Sequence, residues 1–303
     1  METEHLLIDH YNFEMKDQPP SRAYVASVYF RRVIRWRRNS SPFISGDAFS
    51  DAADITINPP NFRNFRSFAR EMSDARIIFC PSRYLAEFLH ENKNKLTCKI
   101  MIAGNDDTEF HEELSDLPRG LKRIYLQNSF ISDDRFIFTL PIGIENFRYG
   151  VNGHPKLMKR KSNQDVSDRI LFGPFSNTHP DRAEVQKYLS ENVGPWDLIE
   201  HRVKPLEFVE LMSGYKFVGA VRGNGIDTHR LWEALYRDTF PIVKADLWSL
   251  SLKRLELPIA YVNSWNANEL RDRVNEHHQS LFKSNLLPAL WMKFWEAEFK
   301  SLL

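Results

Sequence analysis

Short apolar runs recur along the chain, each followed by a stretch whose apolar positions return at helical spacing. In the first half, runs at 42–45, 76–80, 99–103, 123–126 and 136–140 read as strands, and helices are predicted over 62–72, 84–92 and 109–117. In the second half, strands are predicted at 170–172, 197–200, 217–221, 240–243 and 258–262. Helices are predicted there over 181–190, over 205–213, from 227 or 228 onward, and over 268–278. A last helix over 287–302 carries Trp291, Phe294, Trp295 and Phe299 as an aromatic stripe, which predicts packing across both halves. Alternating strands and helices imply parallel sheets covered on both faces. Residues 149–168 are polar, basic and turn-rich, and read as a linker. The expected organisation is an α/β domain over 1–150, a second over 165–285, and a returning helix over 286–303.

The densest polar pattern lies between the predicted strands at 217–221 and 240–243. Arg222-Gly223-Asn224-Gly225 breaks the apolar run, and its glycines favour a turn with positive φ. A helix should then begin, capped by Asp227 or Thr228. The unit is strand, turn, helix, strand, with its polar residues at the carboxyl edge, where open α/β sheets bind ligands. A helix start offers unpaired N–H groups suited to phosphate. Arg222 and Arg230 flank it and can fork onto a diphosphate. Glu233, one turn after Arg230, can accept from two ribose hydroxyls. His229 can reach phosphate or a sugar hydroxyl. Asp227 reads equally as a helix cap or a donor-sugar contact. Gly173 and Ser176, on the loop after the first strand of the second half, can pass close to the same diphosphate, with Lys244 adding charge. Asp227 and His229 lack the partner cluster of a metal site, so no metal is expected.

Residues 222–243, R-G-N-G-I-D-T-H-R-L-W-E-A-L-Y-R-D-T-F-P-I-V, resemble the donor-site signature of exostosin-like glycosyltransferases, family 47 and relatives. Supporting pieces are I-A-G-N-D-D at 102–107, I-Y-L-Q-N at 124–128 and L-P-I-G-I-E-N at 140–146, and the resemblance spans about 43–263. It implies the GT-B fold, two Rossmann-like domains facing across a cleft, with the acceptor in the amino-terminal half and the nucleotide sugar in the other. The implied donor is a UDP-sugar or a GDP-sugar, and the implied acceptor a glycan or lipid-linked glycan. Transfer with inversion needs a base from the facing half; Asp47, following its predicted strand, is the first candidate, and Asp106 and Asp107 are alternatives. A retaining transferase and a non-catalytic nucleotide- or sugar-binding module stay open beside this reading.

Composition narrows the partners. Lysine and arginine number 41 against 40 acidic residues, so the net charge of +1 argues against general nucleic-acid binding. Arg31, Arg32, Arg35, Arg37 and Arg38 crowd one predicted helix, either a solvated basic face or a foot for anionic lipid at a membrane. No apolar run approaches the ~18 residues of a bilayer span, and the acidic start lacks the basic region of a secretory signal. The chain is therefore expected to be soluble and cytoplasmic, with Cys80 and Cys98 reduced. Walker and Gly-x-Ser-x-Gly motifs are absent, and the turn at 222–225 lacks the third glycine of a dinucleotide fingerprint.

Overall fold

A computed structural model describes residues 40–57, 74–111, 114, 117–131, 135–147, 154–158 and 166–303. Two five-stranded sheets organise it. The first contains β1 (Ile55–Thr56), β2 (Ile77–Pro81), β3 (Ile100–Gly104), β4 (Arg123–Leu126) and β5 (Ile137–Thr139), paired in chain order and all parallel. The second contains β6 (Ser167–Phe172), β7 (Trp196–Leu198), β8 (Tyr215–Gly219), β9 (Phe240–Lys244) and β10 (Ala260–Val262), also parallel, in the order β10-β9-β8-β6-β7. Parallel strands buried on both faces read as unbroken apolar runs, as β3 does with all of its residues buried. In the second sheet the chain winds outward from β6 to β7, then returns to β8 on the opposite side. The loops leaving β6 and β8 therefore diverge, and a crevice opens between them at the carboxyl edge.

The helices are α1 (Gly46–Asp51), α2 (Leu85–Asn92), α3 (Pro180–Glu191), α4 (Pro205–Met212), α5 (His229–Tyr236), α6 (Leu247–Ser251), α7 (Ala267–His277) and α8 (Met292–Leu302). Proline opens α3 and α4, where its missing N–H costs no helical bond. The largest apolar cluster joins the two sheets, running from Phe79, Ile102 and Tyr125 to Leu231, Trp232 and Trp248. Helix α8 closes that cluster over the first sheet. Trp295, 1% exposed, meets Phe49 and Tyr125 edge-on at 5.5 and 6.0 Å. Arg123 and the Tyr125 hydroxyl donate to Glu298 at 2.5 and 3.0 Å. The lead-in to α8 is held by the second half, because the Tyr236 hydroxyl donates to the Leu290 carbonyl.

Several expectations are corrected. Residues 42–45 form no strand. Phe43 and Ser45 make isolated bridges to Trp291 and Gly143, two different segments, so no ladder can propagate. Strand β1 went unpredicted because two residues carry no period. Residues 109–111 are not helical: Phe110 N–H donates to the Asn128 carbonyl at 3.1 Å, and Phe130 N–H donates to the Phe110 carbonyl at 2.8 Å. Part of the expected linker is packed, with Met158 only 3% exposed. The predicted helix at 62–72, the arginine-rich segment with Arg31–Arg38 and residues 159–161 lie outside the described residues. Among the described residues no helix is long and apolar enough to cross a membrane.

Candidate functional site

A cavity of about 370 Å³ occupies the crevice between the loops after β6 and β8. Ser176 lines it from the β6 loop, and Gly223, Asn224 and Gly225 from the turn after β8. The first turn of α5 contributes Thr228, His229, Arg230 and Glu233. Asp107 and Ile142 face them from the first half, and Leu157 and Met158 from the segment between the halves. Nine of the predicted site residues are thus brought together; Asp47, Arg222 and Gly173 do not line this cavity.

The turn itself departs from expectation. Neither Gly223 nor Gly225 has positive φ. Both pass close to other side chains: a Cβ on Gly223 would come within 2.9 Å of Arg182 Nη2, and one on Gly225 within 2.9 Å of Asn128 Nδ2, so either would displace the end of that side chain. Positive φ falls instead at Gly173, φ 77°, where a Cβ would also meet the Ile199 carbonyl at 2.3 Å.

Helix α5 begins after Thr228, whose side chain makes no capping bond. Its hydroxyl is buried and has no partner among the described residues, although the residue lines the cavity. Asp227 is no cap either. Its two oxygens accept from the Ile142 N–H and from Trp232 Nε1, each at 2.8 Å, and its own N–H donates to Asn128 Oδ1 at 3.0 Å. It locks the two halves together. Burial pushes its pKa from the ordinary 3.8 up to about 7, against the pull of the two donors and of His229. Among the described residues no side chain bonds the N–H groups at the start of α5.

The cations are arranged differently from the sequence pattern. Arg222 forms an ion pair with Glu109 of the first half and lines a smaller cavity on the far side of the turn. In the crevice Arg182, in the first turn of α3, stands where Arg222 was expected. Arg182 Nη1 donates to Ser176 Oγ at 2.7 Å and Thr178 Oγ1 at 2.9 Å, and its Nε donates to the Arg222 carbonyl at 2.8 Å. All of these acceptors are neutral, so the guanidinium lines the cavity with its charge uncompensated by a carboxylate among the described residues. Burial pulls its pKa below the usual guanidinium range. Arg230 is the second cation. It lies over the Phe208 ring at 3.9 Å, donates to the Gly173 carbonyl at 2.8 Å and stands 3.7 Å from Glu233, too far for a hydrogen bond. Gly173 therefore positions Arg230 and does not itself line the cavity.

His229 shares 2.8 Å with the Gly143 carbonyl through Nδ1. A carbonyl only accepts, so Nδ1 carries a hydrogen. Of the three carboxylates considered as base, only Asp107 lines the cavity. Asp106 is consumed by structure, accepting from Arg83 N–H and Thr108 N–H at 3.0 Å each. Asp47 lies in the first turn of α1, which Ser45 caps, and lines neither cavity; an acidic residue there suits the helix dipole. Among the described residues no group of three or more His, Cys, Asp or Glu side chains comes together as a metal site would require.

Arg182 was missed, yet a signal existed. It is a cation in the first turn of a helix that directly follows the β6 loop, where the dipole disfavours positive charge. A residue placed against local electrostatics is a candidate for a ligand's counter-charge. Compared with protein-family models and with curated proteins, the chain matches none.

Proposed function

We propose that the protein binds a nucleoside diphosphate sugar in the crevice and transfers the sugar to a hydroxyl of a glycan. The two sheets are read as the facing halves of a GT-B glycosyltransferase, the second holding the donor. One observation carries this reading: Arg182, Arg230 and the unpartnered Thr228 hydroxyl converge on an uncapped helix start at the switch point of a parallel sheet. Such a site neutralises a diphosphate by guanidinium forks and backbone N–H groups. Glu233, buried beside Arg230, is assigned to the ribose hydroxyls.

In the reaction the acceptor oxygen attacks the anomeric carbon, and the bond from that carbon to the diphosphate oxygen breaks with its electron pair on the phosphate. Arg182 and Arg230 stabilise the departing charge. Asp107 faces them from the opposite half and takes the acceptor proton, a disposition that fits in-line displacement with inversion. Thermal-shift measurements with UDP, GDP, CMP and their sugars test the donor site. A matching ligand at a hundred times its Kd adds about 2.7 kcal/mol of stability. Absence of stabilisation by every nucleotide overturns the reading.

A further inference from the structure

Across the turn from the crevice lies a second cavity of about 210 Å³. The turn is a shared wall: Gly223, Asn224 and Gly225 line the crevice, whereas Arg222 and Ile226 line the second chamber. The two chambers differ in character. Three aromatic residues, Phe130, Trp248 and Trp265, line the smaller one. Its charged residues are balanced, Asp181 and Asp246 against Arg222 and Lys244, and Arg222 is already paired with Glu109. This balance does not favour an anion.

Trp248 supplies the observation that points to a ligand. It is 3% exposed, it lines the cavity, and its Nε1–H meets no acceptor among the described residues. An indole has only this one donor, and a buried donor left unmet is costly. Arg222 Nε is likewise buried and unmet, although the far end of the same guanidinium is bound to Glu109. Two unmet donors, the oxygens that Asp181 and Asp246 keep beyond their bonds to His179 and Ser249, and aromatic faces together ask for a ligand that gives and accepts hydrogen bonds at its rim and is apolar on its faces. A pyranose ring has that pattern: hydroxyls around the edge, C–H groups above and below. The volume is below the about 300 Å³ at which drug-sized sites begin, which suits a single ring.

We infer that the second cavity is a binding site for a neutral sugar ring, an inner residue of the acceptor whose reacting end lies in the crevice, and that its hydroxyls accept from Trp248 Nε1 and Arg222 Nε while Trp265 and Phe130 pack on its faces. The acceptor role rests on the transfer reading, whereas occupancy by a sugar is testable with no nucleotide present. The loop that carries Asp107 into the crevice also carries Glu109, whose partner Arg222 lines the second cavity, so one segment of the first half touches the crevice and holds a wall residue of the other chamber.

The test follows indole N–H resonances of the full ¹⁵N-labelled chain, with the Trp248 signal assigned by loss in Trp248→Phe. Methyl glucoside, galactoside, mannoside and N-acetylglucosaminide are titrated, with inorganic phosphate as the charged probe. At least one glycoside should shift the Trp248 signal saturably, and phosphate should not. Trp248→Phe, followed through the Trp265 indole signal, keeps a ring, loses one hydrogen bond and should weaken binding about tenfold, and the half-buried Trp265→Ala, followed through Trp248, should do the same. The inference is overturned if no glycoside moves the Trp248 signal, if phosphate alone moves it, or if Trp265→Ala binds glycoside as the parent does. UDP binding is measured in parallel: glycoside binding without UDP binding sinks the donor reading alone, and the reverse sinks the sugar site alone.

Discussion

Replacing Arg182 by alanine separates the arrangement found in the fold from the one suggested by the sequence pattern. The change removes donors to Ser176 Oγ, Thr178 Oγ1 and the Arg222 carbonyl at 2.7, 2.9 and 2.8 Å. The first two bonds are exposed to solvent. Water replaces those, so the stability loss should be about 1–2 kcal/mol, close to that of one or two ordinary hydrogen bonds. The effect on a bound diphosphate is larger. A hydrogen bond to a charged group contributes about 1.5–3 kcal/mol, which converts to about a ten- to hundredfold loss of affinity. Arg182→Lys keeps the charge, loses the fork and should fall between parent and alanine. Arg222→Ala serves as the contrast: Glu109 already neutralises that guanidinium, and it opens on the other chamber. Its UDP affinity should stay within about threefold of the parent. Isothermal titration calorimetry with UDP on the four proteins reads these outcomes directly. Unchanged affinity in Arg182→Ala together with a large loss in Arg222→Ala would refute the assignment.

Three other predictions concern separate links. Asp107→Asn should lower turnover by about 10²–10⁴ while leaving the UDP Kd unchanged, and unchanged turnover in a nucleotide-sugar assay removes Asp107 as the base. Asp227 should make stability fall with rising pH. Its folded pKa of about 7 lies above the ordinary 3.8, so the native chain holds this proton more tightly. The resulting stability is fully present below the ordinary value and is lost as pH rises through about 7; urea melts of parent and Asp227→Asn across that window should show the slope in the parent and its flattening in the variant. Trp295→Ala should cost about 3–5 kcal/mol in urea unfolding, because the ring is enclosed by Phe49, Tyr125 and Phe299, and a loss below about 1 kcal/mol would contradict that enclosure.

Much of the frame was readable because buried parallel strands leave a strong local trace. The runs at 99–103 and 240–243 sit almost where β3 and β9 lie. The strand, turn, helix, strand unit around 222–243 was likewise legible, and it does sit at the crevice. The direction in which a side chain leaves a turn was not legible. Arg222 adjoins Gly223 in sequence, yet its partner Glu109 is 113 positions away and draws it to the far side. Asp227 has the local pattern of a helix cap, but two donors, one of them the Ile142 N–H of the first half, claim its oxygens. Asp47 was placed on a loop because its neighbours resemble a strand end, whereas Ser45 caps a helix there. For Arg222 and Asp227 a contact distant in sequence overrode a local preference, whereas at Asp47 a local cap turned an expected loop into a helix.

The bonds linking the halves bear on how the crevice behaves before any ligand arrives. Asp227 with Ile142, Asn128 with Asp227 and His229 with Gly143 tie the crevice floor, while Trp295 and Trp232 belong to one continuous apolar cluster beneath it. Separating the sheets would break those bonds and wet that cluster at the same time. The molecule should therefore melt as one cooperative unit, and its binding surface keeps its shape in the free state. Affinity then loses little to rearrangement, and access to the crevice is set by loops at its mouth, which move in nanoseconds to microseconds, instead of by the slower swing of whole domains.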